Sequence, residues 1–382
     1  MAYLRAPPTP ASGEPRLTFG LLAGIHEHRP NHLYRQLILQ RLIPEARSYP
    51  FPPRVGPEAP PSTADQALAA AVTSVRPIVT RDADSRHPTV LFPPVHDPSR
   101  FIRIVAVSDT HKLHRRLQQM PGEWLPPADI FVHAGDFSEV GLPDDINDFA
   151  DWLHRGLPQY RHKVVIAGNH DLSLEKHTYV ATNWRRFSHP RAFDSDALIQ
   201  TLRGSCTFLQ HEAKVIEGYR FFGTPYQPEF YDWAFNLNRQ EECHNMWATM
   251  PTDTDILVSH GPPLGHGDMC SGGALAGCAD LLDWIMAVRK GLTCDGAARA
   301  GSSAHAGPDD WLIRPGPTPG PGVRLHLFGH IHEGYGVTTD GAAVFGNAST
   351  LDGRYDPDNM NPPLVFDLPR RAVASVAQPS SS

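Results

Sequence analysis

Five times along this chain a β-branched apolar run stops abruptly at an aspartate, an asparagine or a histidine. The runs are "FIRIVAVSDTH" (101–111), "DIFVHAGDF" (129–137), "KVVIAGNHD" (163–171), "DILVSHGPP" (255–263) and "VRLHLFGHIHE" (323–333). Short apolar runs without polar alternation read as strands covered on both faces. Helix-like segments lie between them at 144–157, 195–204, 238–250 and 278–291. Alternating strands and helices predict an α/β domain, and in such sheets ligands collect beyond the carboxyl ends of the strands.

The rest of the chain has a different texture. Seventeen of the 38 prolines fall in residues 1–100, and proline neither donates to a ladder nor frees φ. Residues 1–98 therefore read as a Pro-rich, largely irregular extension, suited to docking a protein partner in a polyproline conformation. Within it, "NHLYRQLILQRLI" (31–43) carries apolar residues near helical spacing. Residues 99–370 form the folded domain, interrupted by a Gly/Ala/Pro/Ser-rich insertion at 293–322 that reads as a flexible surface loop; 371–382 reads as a disordered tail. The stretch 206–226 predicts antiparallel strands turning at Glu217-Gly218, and 341–350 and 362–368 predict closing strands.

Composition narrows the function. A formal net charge of -7 with no basic run disfavours a nucleic-acid partner. Cys206, Cys243, Cys270, Cys278 and Cys294 include no C-x-x-C pair, which excludes a zinc ribbon and reads as reduced thiols in the cytoplasm. The N-terminus lacks the apolar core of a signal peptide, and no run approaches the ~18 apolar residues that span a bilayer, so no membrane partner is expected.

The strand ends collect Asp109, His111, Asp136, Asn169, His170, His260, His330 and His332. Imidazole, carboxylate and amide without thiolate suit Mn, Fe, Zn, Ni or Co. Eight such groups exceed the needs of one ion. Two dications about 3.5–4 Å apart, bridged by a carboxylate, can clamp both the attacking and leaving oxygens of a phosphoryl transfer. Asp109 and His111, two apart on an extended segment, would share a face, and His330 and His332 repeat the spacing. Alone, an Asp-x-His is usually a capped turn and a Gly-Asn-His-Asp usually a loop; five such features in order read as a metal centre. Glycines 135, 168 and 329 precede candidate ligands and would let the backbone turn sharply.

Other groups are ambiguous. His133 and His326 alternate away from the site and read as structural. His266 and Asp268 either line a substrate cleft or serve a loop. Tyr226, Phe230 and Trp233 either form an aromatic wall for a base or pack in the core. "GGALAG" (272–277) lacks dinucleotide-binding spacing.

The ordered set "SDTH", "GDF", "GNHD", "SHGPP" and "GHIH" resembles the calcineurin-like metallophosphoesterase superfamily. "FGTPYQPEFYDWAFNL" (222–237), "HGPPLGHGD" (260–268) and "FGHIHEGYG" (328–336) further resemble its metallophosphoesterase-domain-containing branch, related to class III cyclic-nucleotide phosphodiesterases. The resemblance spans roughly residues 100–370. It implies a two-sheet β-sandwich flanked by helices. It assigns Asp109, His111 and His332 to a first metal, Asn169, His260 and His330 to a second, and Asp136 to both, with a hydroxide between the ions as nucleophile. Manganese is the favoured metal. His170 would stand outside the metal shell and act on the phosphate and the leaving oxygen, with Asp171 as its candidate orienting group.

The superfamily's protein phosphatases carry G-D-x-x-D-R-G and G-N-H-E, whereas this chain has "GDFSEVG" and "GNHD". The missing arginine removes a clamp for a monoester dianion. The resulting expectation is a hydrolase of phosphodiesters, with cyclic nucleotides among them. The alternatives are a phosphomonoesterase or protein phosphatase, a nuclease on the same site, and a scaffold with weak residual activity.

Overall fold

The computed structural model describes residues 72–80, 87–95, 97–289, 292–294, 313–315 and 322–371. Twelve strands matter for the site. In chain order they are β1 (Thr73–Val75), β2 (Phe101–Val107), β3 (Ile130–His133), β4 (His162–Val165), β5 (Thr207–Phe208), β6 (Glu212–Ile216), β7 (Tyr219–Thr224), β8 (Ile256–Ser259), β9 (Leu325–Phe328), β10 (Gly336–Thr339), β11 (Val344–Asn347) and β12 (Leu364–Pro369). They form two six-stranded sheets, ordered β1-β12-β2-β3-β4-β5 and β10-β11-β9-β8-β7-β6. The central strands β2 to β5 run parallel, as do β7, β8, β9 and β11. Their carboxyl ends therefore come out on a common side within each sheet.

The alternation of side chains shows why the runs are apolar throughout. Ile102, Ile104 and Ala106 of β2 pack with Ile256, Val258, Leu325 and Leu327 between the sheets. Val105 and Val107 face the other way, into a cluster with Ile146, Phe149, Trp152, Leu198 and Leu202. Helices supply that outer cover. Helix α1 (Pro143–Asp151) starts with proline at its first turn and two aspartates there, and α2 (Ser195–Arg203) is capped by Asp194, whose carboxylate accepts from the Ala197 amide at 3.1 Å. On the second sheet, α3 (Glu241–Ala248) and α4 (Ala279–Arg289) lay Cys243, Trp247, Leu281, Trp284 and Ile285 over Phe222, Leu257 and Phe345. The expected sandwich flanked by helices is the fold, in four layers.

Within the described residues the expected elements appear at their places, and further strands join them, β10 among them. The 206–226 pair turns through Glu217 and Gly218, both at positive φ, as a tight hairpin requires. The extension contributes structure of its own: β1 pairs antiparallel with β12 at a sheet edge, and residues 78–80 pair with 89–91. Arg103 of β2 grips Asp367 of β12 with two 2.8 Å bonds, fixing the return strand beside the first central strand. Residues 292–294 and 313–315, within and beside the insertion, pair antiparallel. The 31–43 segment, residues 295–312 and 316–321 of the insertion, and residues 372–382 lie outside the described residues. Among the described residues no helix is long and apolar enough to cross a membrane.

Candidate metal centre

All eight expected residues meet beyond the strand ends. Asp109 follows β2, Asp136 follows β3, Asn169 and His170 follow β4, His260 follows β8, and His330 and His332 follow β9. Three sets hold their donor atoms within 4.8 Å of one another: Asp109 with His111 and His332, Asp136 with His260 and His330, and Asp136 with His111 and His170. Asp136 belongs to two of the sets. Its Oδ2 lies 3.3 Å from His260 Nε2 and 4.0 Å from both His111 Nε2 and His170 Nε2. Asn169 Oδ1 closes the group, 2.9 Å from His260 Nε2.

The backbone that presents these groups is not the extended segment the spacing suggested. Strand β2 ends at Val107 and β9 at Phe328. Asp109, His111, Asp136 and His330 all have positive φ, between 37° and 68°, and His332 opens a short 3-10 turn. Left-handed non-glycine residues carry strain of about 1–3 kcal/mol each and cluster at functional sites. The turns, not the pleat, bring each pair to one side.

The glycines also act differently from expectation. Only Gly135 of the three has positive φ. Gly168 and Gly329 are required by close approach: a Cβ would stand 2.2 Å from Asp136 Oδ1 at the first and 2.1 Å from Asp109 Oδ2 at the second.

Hydrogen bonds orient each ring. His260 donates from Nδ1 to the Ala134 carbonyl at 2.9 Å, and His332 from Nδ1 to the Asp352 carbonyl at 3.1 Å. Both rings thereby turn Nε2 toward the carboxylates, the arrangement metal-binding histidines adopt. Asp109 accepts from the His330 amide and from Ser349 Oγ at 2.9 Å. His111 Nε2 is buried with no hydrogen-bond partner. A buried orphan lone pair facing carboxylates and imidazoles fits a bound cation.

Electrostatics agree. Burial pushes His111 and His330 down to about 3, so both rings are neutral, as ligands must be. Burial would raise Asp109 and Asp136; the surrounding imidazoles outweigh it and hold both carboxyls below the usual range. Burial would likewise lower His260, yet the Asp136 and Asp109 carboxylates raise it to about 9. Without metal, a proton on His260 balances part of the buried anionic charge.

His170 stands at the margin, on a pocket of about 240 Å³ that it shares with His111, Glu139 and Tyr355. Its Nδ1 donates to the Glu139 carbonyl at 2.7 Å and its ring packs on Trp233 with centroids 4.2 Å apart. Phe230 meets His330 edge-on at 5.2 Å. Trp233 and Phe230 thus edge the site, while Tyr226 packs against His211 and Phe235.

Two candidate roles are corrected. Asp171 does not orient His170; its carboxylate accepts from the amides of Asp136, Gly168 and Ser138 and from Ser138 Oγ, tying the Asp136 turn to the Asn169 turn. His266 and Asp268 are fully buried and line no cleft. His266 stacks on Phe345 at 3.7 Å and bonds Thr338 Oγ1, because the apolar second sheet covers it. His133 and His326 do face away, bonded to Thr110 and Ser259 hydroxyls. Ser349, which donates to the Asp109 carboxylate, carried no signal in the sequence, and Asp171 was marked only by its place next to His170.

The sequence profile of calcineurin-like phosphoesterases matches residues 102–334, more than half of the chain. The chain belongs to the calcineurin-like phosphoesterase family. Within this family it is similar to metallophosphoesterase domain-containing protein 1 of Homo sapiens and of Mus musculus. Each is 34% identical over 294 residues, covering 74% of this chain and 77% of the relative. UPF0046 protein T07D4.2 of Caenorhabditis elegans is 32% identical over 282 residues, 70% of this chain and 60% of that protein. The calcineurin-like phosphoesterase chain is accordingly a metal-dependent phosphoester hydrolase, and divalent ions are its cofactors. Strands β10 to β12, which lie beyond the matched region, complete both sheets.

Proposed function

We propose that this metallophosphoesterase hydrolyses phosphodiesters, small cyclic nucleotides among them, with two divalent ions, manganese favoured. The observation that carries the reading is Val140. It stands where the family's protein phosphatases place an arginine, and its side chain packs against the apolar cluster outside the first sheet. A guanidinium fork there would bind a monoester dianion, and a valine offers no such clamp. The resemblance of residues 222–237, 260–268 and 328–336 to the branch related to class III cyclic-nucleotide phosphodiesterases points the same way.

In this reading Asp109, His111 and His332 hold one ion, Asn169, His260 and His330 hold the other, and Asp136 serves both. The bound pair would activate water and neutralise the phosphate oxygens as charge develops. His170, fixed by the Glu139 carbonyl and Trp233, directs Nε2 to the substrate side and passes a proton to the leaving oxygen. The free thiols of Cys206, Cys243, Cys270 and Cys278 accord with a cytoplasmic setting.

The test compares hydrolysis of bis-p-nitrophenyl phosphate with that of p-nitrophenyl phosphate, with added Mn. A higher kcat/KM for the diester is expected. A strong monoester preference contradicts the assignment.

A further inference from the structure

A second cluster of metal donors lies away from the histidine centre. Cys243 of α3, Cys278 just before α4 and Asp280 in its first turn hold their donor atoms within 4.8 Å of one another. All three are buried, at 0%, 1% and 6% exposure. They sit in the apolar cluster of Leu237, Trp247, Leu281 and Trp284 that covers the second sheet. We propose that Cys243, Cys278 and Asp280 supply three ligands of a site for a thiophilic divalent cation of the zinc type, separate from the histidine centre.

The donor chemistry sets the class of ion. Two sulfurs select zinc-like ions over manganese or magnesium, and a carboxylate oxygen is a common third ligand. Binding replaces the two thiol protons, which leave to solvent, so that two thiolates and one carboxylate face a charge of two. The residual negative charge lies near Arg239, whose guanidinium donates to the carbonyls of Ala276 and Gly277 at 2.8 Å, next to Cys278.

The surroundings orient the donors. Trp247 Nε1 donates to Cys278 Sγ at 3.2 Å, the kind of outer hydrogen bond that steadies a metal-bound sulfur. Asp280 Oδ2 accepts from the Gln240 amide at 3.3 Å and lies 4.0 Å from Cys278 Sγ. The main chain of Cys278 bonds to Pro262 and Leu264, in the turn that follows His260. An ion at this point would join α3, the start of α4 and the segment that follows His260.

Cobalt substitution of the full-length protein tests the site, because the catalytic donor set contains no thiolate. Wild-type protein loaded with Co(II) is expected to show an intense near-ultraviolet thiolate-to-cobalt absorption and one cobalt beyond the histidine-bound pair. Cys243→Ser/Cys278→Ser should lose the band and that one ion alone. Absence of the band in wild type, its survival in the double variant, or a Cys243–Cys278 disulfide in freshly purified protein would overturn the proposal. Should the double variant fail to fold, the wild-type spectrum still decides between the outcomes. Asp280→Asn, which keeps both sulfurs, should retain the band yet lose cobalt to EDTA about tenfold faster; an unchanged rate would remove Asp280 from the site.

Discussion

Asp136 and His260 come from different sheets and meet with 3.3 Å between Oδ2 and Nε2. The contact joins the two halves of the site, because Asp136 also faces His111 and His170. Replacing Asp136 by alanine should therefore release both catalytic ions, not one. Activity should fall at least about 10³-fold, equivalent to about 4 kcal/mol of transition-state stabilisation. Elemental analysis of the purified variant beside its kcat/KM checks this; retention of one full equivalent would deny Asp136 its shared role.

His170 predicts a different signature. It touches no oriented ligand ring through a hydrogen bond; its Nδ1 is committed to the Glu139 carbonyl. His170→Asn should leave metal content intact and lower kcat by about 10²–10⁴, the range for general acid–base groups. Trp233→Ala should lower kcat in the same direction by less, since the ring at 4.2 Å holds the imidazole without supplying a proton. Loss of metal from either variant would contradict this division of labour.

Gly329→Ala tests whether close packing shapes the ligand cradle. The added methyl would stand 2.1 Å from Asp109 Oδ2 and 2.2 Å from Ser108 Oγ. Overpacking of this kind costs about 1–3 kcal/mol, and here the strain falls directly on a ligand. A lower melting temperature together with weakened metal retention is expected, read by calorimetry and equilibrium dialysis. A melting temperature and affinity equal to wild type would show that the turn relaxes freely.

Much of this site could be read from the sequence, and the reason is chemical. A strand buried on both faces carries few polar side chains before it ends, Arg103 and His326 being partnered exceptions. The polar clusters at Asp109, Asp136, Asn169, His260 and His330 therefore marked the strand ends plainly. The path of the backbone after the strands was not readable. Two residues apart suggested an extended pair, whereas Asp109, His111 and His330 sit in left-handed turns that only the packed site enforces. Asp171 adjoins His170 in sequence but turns to the Asp136 amide. The meeting of Cys243 with Cys278 depends on how α3 packs against α4, which no local spacing encodes. Likewise β1 lies in a Pro-rich stretch, and its pairing is set by a partner strand near the other end of the chain.

The raised pKa of His260 gives a pH signature in metal-free protein. Its folded value of about 9 lies above the ordinary 6.5. The protonated ring therefore stabilises the metal-free fold in full below pH 6.5, and the contribution is lost as pH rises through about 9. Metal requires the neutral ring, so retention of metal should strengthen over the same window. In EDTA, the melting-temperature gap between wild type and His260→Gln should shrink from below pH 6.5 to above pH 9. A gap that does not change with pH would contradict the Asp136–His260 charge pair.

The most direct test of the account is anomalous diffraction at the manganese edge from crystals soaked with Mn. Two peaks about 3.5–4 Å apart are expected, one among Asp109, His111 and His332, the other among Asn169, His260 and His330, with Asp136 between them. A single peak, or none within this cluster, would contradict a dinuclear centre.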